Sequence, residues 1–90
     1  MFRALGGGLI VNQGRKNVQS KIRRGIYRHY KGKRYEVLDV ARHSESEEWL
    51  VVYRALYGDY GLWVRPVTLF LEPVATPEGE VPRFALEKAF

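Results

Sequence analysis

The stretch Gly25 to Arg42, GIYRHYKGKRYEVLDVAR, limits the fold more than any other part of the chain. It reads as two β-strands, Ile26 to Tyr30 and Tyr35 to Arg42, joined by the turn Lys31-Gly32-Lys33. Glycine stands where a tight hairpin needs a residue that tolerates positive φ. In the first strand Ile26, Arg28 and Tyr30 share one face, and Tyr27 and His29 the other. The second strand is apolar on both faces, which marks a central or strongly curved strand.

The later strands are laid against this hairpin. Glu48 to Leu56 alternates, with Trp49, Val51 and Tyr53 on one face. Tyr57-Gly58-Asp59-Tyr60-Gly61 is a turn with two glycines. Leu62 to Arg65 is a short fourth strand that Pro66 ends by removing a backbone donor. Val67 to Leu71 reads as one helical turn that sends Phe70 into the core. Pro73 to Pro82 holds three prolines and Gly79 and reads as loop; Val81 to Phe84 reads as a fifth strand, and Ala85 to Phe90 as a short helix or disordered end. About five short strands at about 8–12-residue spacing predict an all-β barrel or roll. Within the fourth strand, Trp63 reads as a core anchor whose loss costs roughly 3–5 kcal/mol. Tyr35 reads as core as well.

Ninety residues make one domain. Residues 1–20 show neither a 3.6 nor a clean 2 period, and Gly6-Gly7-Gly8 has no side chain to bury. The division is therefore a flexible extension over 1–20, with room for one short strand at 9–11, and a single domain over 21–90. No apolar run approaches the roughly 18 residues of a membrane span. The chain has no cysteine, hence no disulfide framework and no thiolate metal site. Together these predict a cytoplasmic protein without membrane contact. Two histidines, His29 and His43, make no metal site, so no metal or cofactor is expected.

The run GIYRHYKGKRYEVLDVARHSE, then EWLVVYRALYGDYGLWVRP, then Phe70 and the PRF of residues 82–84 resemble a small bacterial family of unknown function. The likeness covers about residues 24–84. It implies a compact SH3-like β-barrel and no assigned activity, so function has to be argued from the side chains.

Charge is distributed unevenly. Residues 1–34 carry ten basic groups and no acid, whereas residues 35–90 carry five basic groups against ten acids. Such asymmetry fits either an arm that binds a polyanion or a solvated N-terminal tail. Each core strand also contributes one arginine: Arg28, Arg42, Arg54 and Arg65. Each lies beside a ring: His29, His43, Tyr53 or Trp63. Arginine is suited to bidentate binding of phosphate or carboxylate and stacks on aromatic planes. The rings outnumber what a small barrel can bury, and Trp49 and Tyr60 are open to either assignment, core or surface. The side chains therefore predict a non-enzymatic module that binds an anionic partner, foremost nucleic acid, through Arg28, His29, Arg42, His43, Trp49, Arg54, Tyr60 and Arg65. The alternative is a protein-interaction or small-ligand domain that uses the same groove. No nucleophile–base pair or phosphate-binding glycine loop is present to predict an enzyme.

Overall fold

The computed structural model describes residues 14–90. Within them a five-stranded antiparallel sheet carries the core. The strands are β1 (Gly25–His29), β2 (Arg34–Arg42), β3 (Trp49–Ala55), β4 (Leu62–Pro66) and, at the C-terminus, β7 (Phe84–Ala89). A separate hairpin is formed by β5 (Pro73–Thr76) and β6 (Gly79–Pro82). Helix α1 (Arg15–Lys21) precedes the sheet, and the one-turn helix α2 (Val67–Phe70) follows β4. The order across the main sheet is β4-β3-β2-β1-β7. β4 and β7 are its two edges, so the sheet is open and does not form the closed barrel expected above.

The β1–β2 hairpin forms where the sequence placed it. Gly32 takes φ 113°, a backbone conformation that costs a side-chain-bearing residue dearly. β2 is the middle strand, and a register irregularity between Val37 and Asp39 explains its two apolar faces. The bulge shifts the alternation by one, so Val37 and Val40 both turn into the core. On β3, Val51, Tyr53 and Ala55 are the buried positions, as strict alternation requires.

The remaining core comes from outside this three-strand unit. Phe70 from α2 stacks on Phe84 from β7, with ring centroids 4.2 Å apart and planes within 1°. Tyr27 and Tyr53 meet Phe70 edge-on at 5.5 and 5.9 Å. Ile22, just past α1, is also buried in this cluster.

Four expectations are corrected. Residues 73–82 are not a loop. Pro73 pairs with Pro82 at the open end of a hairpin, where an absent N–H costs little, and Gly79 closes the turn at φ 114°. The C-terminal residues are neither helical nor a strand ending at Phe84: β7 runs to Ala89 because β1 offers an unpaired edge. Residues 15–20, the end of the stretch read as a flexible extension, form α1 together with Lys21. Its anchors are Val18 on the core and Arg15 and Gln19 on Asp39. These partners and the Val40 amide hold the Asp39 carboxyl below its ordinary range, the amide contributing most. The expected strand at 9–11 lies outside the described residues.

The fourth correction concerns Trp63, which is 58% exposed. It pairs with the buried Tyr53 and so lies on the core-facing side of the sheet. But β4 is an edge strand, and nothing among the described residues roofs it there. Trp63→Ala is therefore expected to change stability by less than about 1 kcal/mol, in the range of surface substitutions. A drop of several kcal/mol in chemical denaturation would restore the core assignment.

Candidate functional site

The four strand arginines do not converge. Arg28 pairs with Arg34, and Glu36 with Arg54, so Arg28, Arg34, Glu36 and Arg54 lie on the outer face of the sheet. Arg34 is held there by Glu87, with Nε 2.7 Å from Oε1, and Arg54 donates to the Tyr60 carbonyl at 2.7 Å. Tyr60 adopts φ 58° in the β3–β4 turn and is exposed. Arg42 sits at the far end of β2 with its guanidinium 4.6 Å over the Trp49 ring, its direct cross-strand neighbour. Trp49 is half-buried against the core and so belongs to both of the alternatives left open for it. His43 caps the β2–β3 loop, its Nδ1 accepting the Glu45 and Ser46 amides. It stands at the opposite end of β2 from the end where His29 lies, about 30 Å along the strand. Among the described residues no group of three metal-ligating side chains forms.

Arg65 and His29 do meet, across the core-facing side of the sheet. Arg65 lies over the Phe84 ring at 5.7 Å, and the His29 ring packs edge-on against the same Phe84 at 4.9 Å. Tyr30 and Tyr35 extend this wall, 4.7 and 6.3 Å from His29. Tyr57 follows, 5.5 Å from Tyr35, and the two phenolic oxygens are hydrogen-bonded at 2.7 Å. The result is a run of rings, Tyr30–His29–Phe84–Tyr35–Tyr57, along one end of the core. Cations lie over its outer members: Lys31 over Tyr30 at 5.8 Å and Lys33 over Tyr57 at 4.6 Å. Trp63 shares the face and strand of Arg65, two residues away.

The charges that act on His29 have one sign. Burial pushes the His29 imidazole below its ordinary pKa, and the charges that add to that effect are Arg83, Arg65 and Lys31, all positive. His29 Nδ1 accepts the Lys31 amide at 3.2 Å. The neutral ring then carries its proton on Nε2, where it can donate. Arg83 has a buried Nε with no hydrogen-bond partner, and its Nη2 reaches only to 3.7 Å from Glu72. Tyr35 is pushed up to about 12 by burial first and by its bond to Tyr57, so its hydroxyl stays a neutral donor. Clustered donors with excess positive charge, set among apolar rings, are equipped to hold an anion.

Sequence reading missed Arg83, Tyr57, Lys31 and Lys33 as members and placed Tyr35 in the core alone. The signal was present in two places. The PRF of residues 82–84 was noted without a role, and Lys31 and Lys33 flank the turn glycine beside Tyr30. A shallow cleft elsewhere, lined by Gln19, Ile22, Arg23, Arg24, Asp39 and Phe90, shares no residue with the ring cluster.

Residues 25–86 match a family described as "Protein of unknown function (DUF1653)". The chain is also similar to the crystal structure of a protein of that family from Bordetella bronchiseptica. The two are 39% identical, the alignment covers 80% of this chain and 95% of that one, and the TM-score is 0.72. No curated protein matches. No helix among the described residues is long and apolar enough to cross a membrane.

Proposed function

The chain belongs to the DUF1653 family of proteins of unknown function, and from that premise we propose that it is a non-enzymatic module that binds single-stranded nucleic acid on its ring-and-cation face. One observation carries this reading: His29 lies among rings with only positive groups, Arg83, Arg65 and Lys31, acting on it. Phosphate would sit against Arg65, Arg83 and His29. Bases would stack on the exposed faces of Tyr30, Tyr57 and Trp63, 39, 38 and 58% accessible. The arginines of the outer face and the basic residues before β1 would add attraction that depends on salt and not on sequence. The strand order, with the helical turn α2 ahead of the closing strand, supports an SH3-like reading of the fold, in which the β5–β6 hairpin is an insertion.

The test is a titration of labelled single-stranded RNA and DNA oligonucleotides at two salt concentrations. Arg65→Gln should weaken binding roughly tenfold or more, and lysine should not fully replace it, because it lacks the planar fork. Arg28→Gln on the outer face should weaken binding less and flatten its salt dependence. Affinity should also rise as pH falls. The free imidazole of His29 has a lowered pKa, and a bound phosphate favours the imidazolium, so binding takes up a proton. No binding at low salt, or equal effects of Arg65→Gln and Arg28→Gln, would discard this reading.

A further inference from the structure

We propose that the chain pairs with a second copy of itself through β4, edge to edge and antiparallel, with the dyad at Val64. This edge adjoins the ring-and-cation face and shares Trp63 and Arg65 with it, but the pairing does not rest on nucleic-acid binding.

The two edges of the sheet are built differently. β7 carries Glu87 and Lys88, charges of the kind that blunt an edge against pairing. β4 carries Leu62, Trp63 and Val64 in succession, 56, 58 and 59% exposed, with no lysine and no acid. An edge of that composition is a template for another strand.

The backbone shows which groups the template offers. The Ala55 amide donates to the Gly61 carbonyl at 3.0 Å. Bonded and non-bonded pairs alternate along an antiparallel ladder, so Trp63 and Arg65 turn their backbone groups toward β3. Leu62, Val64 and Pro66 turn theirs outward. The donor that Pro66 lacks therefore falls on the outward side and takes no bond from the parent sheet.

A second β4 can pair with this edge in a self-complementary register centred on Val64. Val64 exchanges both backbone bonds with Val64 of the second copy. The outward Leu62 amide meets the Pro66 carbonyl of the second copy, which needs no proline donor. On the core-facing side this register sets Trp63 opposite Arg65, twice over by symmetry. The chain already contains such a pair: Arg42 and Trp49 are direct cross-strand neighbours with the guanidinium 4.6 Å over the ring. On the outer face Leu62, Val64 and Pro66 meet their counterparts and cover apolar surface. A two-fold contact of this kind is isologous and closes at the dimer.

Sedimentation equilibrium of the full chain over rising concentration should show a monomer–dimer equilibrium. Val64→Pro removes an outward donor and leaves the β3 ladder its bonds; Val64→Lys puts a charge on the dyad. Both should abolish the dimer. In hydrogen exchange, the Leu62 and Val64 amides should gain protection as concentration rises. A wild-type chain that stays monomeric overturns the proposal, and an edge that binds only some other extended peptide would give that result. A dimer that survives Val64→Lys also overturns it. So does protection of Val64 that is independent of concentration, which would mean that a segment of the same chain covers the edge.

Discussion

Replacing Phe70 by alanine is expected to lower stability by about 3–5 kcal/mol, the usual cost of removing a buried phenylalanine. Phe70 is 2% exposed and is the contribution of α2 to the core. Its ring stacks on Phe84 and receives the edges of Tyr27 and Tyr53. Ring pairs of this kind contribute about 0.5–1.5 kcal/mol beyond the area they bury. Those neighbours come from β1, β3 and β7, so the cavity would open where three strands meet, with little freedom to collapse. A domain of this size has roughly 5–13 kcal/mol of stability in all. The loss should therefore appear as a fall in Tm of at least about 12 °C. Phe70→Leu, which keeps most of the volume, should fall between the wild type and Phe70→Ala. A Tm within a few degrees of wild type for Phe70→Ala would show that α2 is not part of the cooperative unit. The function proposed above would suffer too, because Phe84 supports both His29 and Arg65 and rests on Phe70.

Gly25→Ala is expected to detach the C-terminal strand. Gly25 begins β1 with φ 155°, paired to Val37 on one side and to Ala89 on the other. A Cβ built there would stand 2.2 Å from the Lys88 carbonyl oxygen and 3.0 Å from the Ala89 Cα. Those are backbone atoms, so no side chain can swing away to relieve the overlap. Either β1 and β7 separate at this end or the alanine is forced into strained geometry, at roughly 3 kcal/mol or more. The observable is a lowered denaturation midpoint together with lost amide protection along β7. Because Phe84 begins that strand, loosening should reach the ring cluster as well. Unchanged protection in β7 would mean that the backbone approach at Gly25 is looser than the structure has it. Gly32→Ala makes the informative contrast. It also has positive φ but no atom within 4 Å of the added methyl, so it pays only the conformational cost.

The residue pattern alone determined the β1–β2 hairpin, the alternation of β3, the end of β4 at Pro66 and the turn that buries Phe70. Each of these rests on local chemistry: a glycine at positive φ, a period of two, a missing donor, one aromatic after a strand. The all-β class follows from them. What failed depended on neighbours distant in sequence. A period of two shows that Trp63 and Arg65 share a face, but not that β4 is an edge with no described residue above it. Ala85 to Ala89 are mostly good helix formers, yet they lie in a strand because β1 has a free side to pair with, and tertiary pairing outweighs weak local propensity. Three prolines read as loop because their placement at the ends and turn of a hairpin is invisible until Pro73 is seen opposite Pro82. The site divides in the same way. Composition showed an excess of rings and basic groups, and one arginine on each strand. Register then decided which of them meet. It turned Arg28 and Arg54 to the outer face, sent Arg42 to the far end of β2, and left Arg65 to join His29 and the unanticipated Arg83 around Phe84. Sequence fixes which side chains exist and how they alternate; only the fold sets which face has a neighbour, and that is what gathers charge and rings into one place.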